Sequence, residues 1–127
     1  MQQDFPMTIV ADGHFSDSLK PLLVELEMWL NFQALKTDWF ANEASILSFE
    51  FTLVRTLQEK QSQLQNENWV TEPGYAYHYQ SDTQLTLAYI AINDIAAAGS
   101  GIEKAIKARL LAVANIVGKQ HGLIPLS

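Results

Sequence analysis

The chain contains no cysteine, which excludes disulfide staples, thiolate zinc sites, iron–sulfur clusters and a cysteine nucleophile. That usage suits a reducing compartment. Basic residues are also few. Eight Lys and Arg stand against fourteen Asp and Glu, for a net charge of −6, the wrong sign for gripping a phosphate backbone. Nucleic acid is therefore a disfavoured partner. No apolar run reaches the roughly 20 residues of a bilayer span. The longest, around Leu85 to Ala98 and Ile106 to Val117, are broken by polar residues. Met1 to Pro6 has neither the basic flank nor the apolar run of a signal peptide. The expectation is a cytoplasmic protein without membrane contact, whose residues 1–6 form a flexible N-terminus.

No internal repeat or linker divides the 127 residues, so 1–127 reads as a single globular domain. Hydrophobic residues make up 48% of it, enough to build a core without metal or disulfide support. Charge is unevenly distributed. Residues 101–127 hold four of the eight cations and only Glu103 as an anion. Cations near a helix C-terminus favour its dipole, and the same face could meet an acidic partner or the acidic remainder of a second copy.

Met7 to Ala11 suits a short strand ending at the turn Asp12-Gly13. A helix is expected from Ser18, an N-cap that leaves Pro21 in the first turn. Leu19, Leu22, Leu23, Leu26, Trp29 and Leu30 share one face of it. A second stripe, Val24, Met28, Phe32 and Leu35, lies opposite. A helix apolar on two sides is either central to the core or covered by another subunit, so these four are assigned to an oligomer interface. Residues 43–66 fit a helix capped by Asn42, in which Glu50 intrudes on the apolar half and becomes a candidate buried charge with Arg109 as partner. The same segment alternates almost as well as a strand.

Pro73-Gly74 forces 69–80 into an extended crossover in which Tyr75, Tyr77 and Tyr79 share one side and His78 faces the other. Ser81 and Gln84 have the spacing of a capping box, ahead of a helical face of Leu85, Ala88, Tyr89, Ile92, Ile95 and Ala96 that ends at Gly99. A last helix covers 101–120. Its stripe is Ile102, Ile106, Leu110, Val113 and Val117, Glu103 and Lys107 can pair along it, and Gly122 follows its end. The fold expected is all-α, four helices with the aromatic crossover 69–80 between the second and third. The competing arrangement is α+β, two helices packed on an antiparallel meander of 46–57, 68–80 and 84–93.

None of the usual nucleotide, hydrolase or zinc-protease motifs is present. Gly99-Ser100-Gly101 reads as a helix connector. Asp12, His14 and Asp17 offer too few carboxylates for a metal loop, and His121 suits the end of the last helix. Glu25 and Glu27 diverge on their helix and cannot share a substrate. No metal or cofactor is expected. The chemistry-bearing segment is Trp69, Glu72, Tyr75, Tyr77, His78 and Tyr79, assigned to ligand or partner binding because rings with polar tips serve both pockets and hot spots. The same alternation arises if the tyrosines roof the core and send their hydroxyls to solvent. The functional expectation is a non-enzymatic homo-oligomeric binding protein, one version of which neutralises a basic protein partner. The alternative is a small-molecule-binding protein or enzyme with an aromatic pocket around Tyr75–Tyr79, to which Glu50 is a candidate addition.

Overall fold

The computed structural model describes residues 6–11, 20–39, 47–93 and 101–126. Its centre is a five-stranded mixed sheet in the order β1-β2-β5-β4-β3. The strands are β1 (Met7–Ala11), β2 (Ser48–Val54), β3 (Val70–Glu72), β4 (Tyr75–Gln80) and β5 (Leu85–Ala91). Two long helices, α1 (Lys20–Lys36) and α3 (Ile102–Gln120), pack on one face. A short 3-10 turn (Leu57–Lys60) running into α2 (Gln61–Asn66) lies on the other.

This is an α+β fold and corrects the four-helix expectation. Residues 43–66 are not one helix, because 48–54 form a strand. The Ser81 to Gln84 segment is a tight turn with Gln84 at φ +55°, and not a capping box, so 85–91 are extended. The competing arrangement located the extended segments, but 68–80 turns back at Pro73-Gly74 to form both β3 and β4, and the sense of the pairings differs. β2 runs parallel to both β1 and β5, and only β5-β4-β3 is an antiparallel meander. Parallel neighbours need a crossover, which α1 supplies between β1 and β2. The caps expected at Ser18 and Asn42, the Asp12–Asp17 loop and the Gly99 terminus lie outside the described residues, as do residues 1–5.

The register explains the misreading. Met7 and Ile9, Phe49, Phe51 and Leu53, Ala88 and Ile90, and Tyr77 form aligned rows facing α1 and α3. Phe49 and Phe51 stack at 5.7 Å, and Trp39 leans on Phe49 at 6.3 Å. Each fully buried phenylalanine contributes about 2–3 kcal/mol of hydrophobic stabilisation. Glu50 occupies an outward strand position and is exposed, so it is not a buried charge. Arg109, on the helix-covered face, donates to the Ala91 carbonyl and packs its guanidinium against Gly74. The two are therefore not partners. Gly74 owes its identity mainly to its backbone conformation. Its φ is +92°, and an added Cβ would lie 2.6 Å from the Arg109 guanidinium carbon.

The last helix follows its expected bounds, and Ile106, Leu110, Val113 and Val117 are buried. Lys107 turns onto the Trp29 ring, its Nζ 4.9 Å from the centroid. Gly122, at φ +76°, closes the helix as the Leu123 N–H reaches the Gly118 carbonyl at 2.9 Å. His121 caps the same end, with Nδ1 2.9 Å from the Val117 carbonyl oxygen. No helix among the described residues is long and apolar enough to cross a membrane.

Candidate functional site

Tyr75, Tyr77 and Tyr79 share the side of β4 that faces the helices, as their alternation implies, and that side is the roof of the core. Tyr77 is buried, and burial, with Tyr75 and Glu72 adding negative potential, raises its phenol above the ordinary value. Tyr75 lies against Tyr77 at 6.5 Å, and the Tyr79 hydroxyl meets His121 Nε2 at 3.1 Å. Glu72 is exposed at the end of β3. The six residues grouped from the sequence thus divide between the two faces of the sheet.

Trp69 and His78 are the two brought together on the opposite face. Trp69 stacks on His78 at 5.7 Å and on Tyr89 at 4.9 Å. Tyr89, on β5, was assigned to a helical core stripe in the sequence, and its role emerges only once β5 is extended. Around this stack the second apolar cluster gathers Leu64, Ala76, Leu57 and Leu87. Polar atoms hold it in place. The Trp69 indole N–H donates to Glu67 Oε1 at 2.8 Å, and the Tyr89 hydroxyl donates to Gln63 Oε1 at 2.7 Å. The Lys60 ammonium sits 5.5 Å from the Tyr89 ring centre. Glu67 has its carboxyl held below the ordinary value, chiefly by the Trp69 hydrogen bond, then by Gln63 and more weakly by His78.

Beside Trp69 opens a cleft of about 510 Å³. Leu57, Leu64 and Trp69 give it apolar surface, while Gln58, Gln61, Gln65, Asn68 and Thr71 supply amides and a hydroxyl. None of these lining residues carries a charge. Six of the eight lie between positions 57 and 68, so the glutamine-rich stretch 58–68 supplies most of the cleft wall. Its composition was the available signal, masked by the fact that glutamines also suit an ordinary solvated helix. Among the described residues no group of three His, Asp or Glu side chains converges as a metal site would require. No protein-family model, no curated protein and no solved structure matches the chain.

Proposed function

We propose that this chain is a binding protein for a small uncharged molecule, held in the cleft between the 57–66 helical segment and β3. The observation that carries the reading is a cleft of ligand size whose lining combines one locked aromatic wall with five neutral hydrogen-bonding side chains. Its volume falls within the usual range for small-molecule sites, about 300–1,000 Å³. An ion entering it would lose water without meeting a counter-charge among the lining residues, which is costly. A neutral molecule with an apolar face and several hydroxyl or amide groups would satisfy both halves of the lining. Trp69 contributes as a wall fixed in advance, because its stacking on Tyr89 and His78 and its bond to Glu67 leave little freedom to lose on binding.

The lining groups are amides, a hydroxyl, an indole and aliphatic side chains, a set suited to holding a neutral ligand. The test is a titration of ¹⁵N-labelled chain with N-acetyl-leucine methylamide, N-acetylglucosamine, glucose and indole, each to millimolar concentration. At least one probe is expected to shift the side-chain amides of Gln58, Gln61, Gln65 and Asn68 together with the Trp69 indole N–H. Gln61→Trp, which fills the cleft from an exposed position, should abolish that response. Unmoved resonances with all four probes would overturn the reading.

A further inference from the structure

We infer that the outer face of α1 is a self-association surface, on which two copies of this chain pack their α1 helices antiparallel about a two-fold axis. Val24, Met28, Phe32 and Leu35 follow one another at steps of four, four and three residues and are 59%, 68%, 58% and 60% exposed. They form a single stripe on a helix whose other side is already spent on the core, where Leu26, Leu30 and Ala34 are fully buried. Isolated exposed apolar residues are ordinary, but a contiguous stripe of four large ones is the mark of an interface.

Charge at the rim selects a second copy as the occupant. Glu25 and Lys36 are eleven residues apart, about three helical turns, and so lie on the same flank of the stripe. A two-fold axis passing between positions 30 and 31, perpendicular to the helix, sets each protomer's Glu25 opposite its partner's Lys36, twice over. The same operation interleaves the apolar side chains, so that the partner's Leu35 falls between Val24 and Met28. A parallel arrangement instead carries each Glu25 to the flank opposite its partner's Lys36 and makes neither pair. The Lys36 ammonium is already drawn to the rim, 5.8 Å from the Phe32 ring centre.

The four side chains offer on the order of 400 Å² per protomer, which places the pair near the small end of specific interfaces. The expected dimer is therefore weak and transient. α1 and the Trp69 cleft are on opposite faces of the sheet, so failure of one reading leaves the other standing.

Sedimentation velocity on the full chain from 1 to 300 µM should show a concentration-dependent monomer–dimer equilibrium. Met28→Glu, at a side chain that takes no part in the core, should leave circular dichroism unchanged and abolish the dimer. Glu25→Lys or Lys36→Glu alone should weaken association about tenfold or more, and the double exchange should restore it. The cysteine-free background allows a further geometric readout. Phe32→Cys, near the axis, should cross-link to itself under mild oxidation, whereas Val24→Cys, remote from it, should not. A monomer throughout the concentration range overturns the proposal, as does a dimer that survives Met28→Glu. Charge exchange without rescue, or efficient cross-linking at Val24 instead of Phe32, overturns the antiparallel geometry.

Discussion

The Asn31 side chain brackets the backbone of Met7. Its Oδ1 accepts from the Met7 N–H at 3.2 Å, and its Nδ2 donates to the Met7 carbonyl at 2.8 Å. Two residues further along the strand, the Ile9 N–H donates to Glu27 Oε1 at 2.9 Å. β1 is an edge strand, and these bonds occupy the edge that its neighbour β2 does not. α1 thus acts as a substitute strand partner, which closes an edge otherwise open to pairing with another chain. Asn31 is itself buried, so losing its amide leaves both backbone groups desolvated and unpaired. Asn31→Leu is expected to cost about 2–4 kcal/mol, read as a lower urea midpoint, and to raise thioflavin-positive aggregation. An unfolding free energy within about 0.5 kcal/mol of the parent's would show that water replaces the bracket.

Gly118 is buried under Trp39, and an added Cβ would stand 2.6 Å from the indole ring. The ring cannot easily retreat, because its Nε1 donates to the Ile124 carbonyl at 2.7 Å. Glycine within a helix ordinarily costs about 1 kcal/mol relative to alanine. Overpacking here costs about 1–3 kcal/mol and outweighs that gain. Gly118→Ala is expected to destabilise by about 1–2 kcal/mol. In a Trp39→Leu background, where the obstacle is smaller, the same substitution should be neutral or stabilising. Denaturant unfolding of the four proteins in the cycle decides it, and additive effects would mean that the ring simply moves aside.

How much of this architecture was legible depends on what covers each strand. β2 carried its signature openly. Glu50, an intruder on a helical wheel, is an outward strand position between Phe49 and Phe51. β5 hid its signature, because it lies within the sheet and is covered on both faces. Ala88 and Ile90 meet the long helices while Leu87 and Tyr89 meet α2, so apolar residues occur without a period of two and imitate a helix. The alternation of Tyr75, Tyr77 and Tyr79 against His78 was read correctly. That the tyrosine side roofs the core was one of the two readings the alternation allowed, and choosing between them depends on helices distant in sequence. The cleft was illegible for the same reason: Trp69 and Tyr89 are twenty positions apart and meet only through the β5-β4-β3 meander. Asn31 gave no sign of its role, because a polar residue beside a helical core stripe ordinarily reads as a flank position.

Thr86 is fully buried, and its hydroxyl finds no hydrogen-bond partner among the described residues. It stands in register between Phe49 and Tyr79 on the core side of the sheet. Valine has nearly the same shape and no polar atom to desolvate. Thr86→Val is therefore expected to stabilise the fold by about 1 kcal/mol, seen as a raised thermal midpoint. Thr86→Ser, which keeps the hydroxyl and removes the methyl, should lower it. Destabilisation by valine would mean that the hydroxyl does find a partner in solution.

Glu67 links pH to the wall of the cleft. Its carboxyl titrates below the ordinary value of 4.5, mainly because the ionised form accepts the Trp69 indole N–H. A folded-state value lower than the unfolded one means that the charged carboxylate favours the folded arrangement. That contribution is complete above the unfolded value and is lost as pH falls through the folded one. The indole N–H resonance of Trp69 should therefore shift on acidification with a midpoint below 4.5, while the resonances of Trp29 and Trp39 do not follow it. Glu67→Gln keeps an acceptor without a titrating charge and should remove the transition while leaving Trp69 in place. If binding to the cleft relies on a fixed Trp69, affinity for any responsive neutral probe should weaken over the same acid range in the parent and stay flat in Glu67→Gln. A Trp69 transition at or above 4.5, or one that persists in the variant, would show that Glu67 is not what holds the ring.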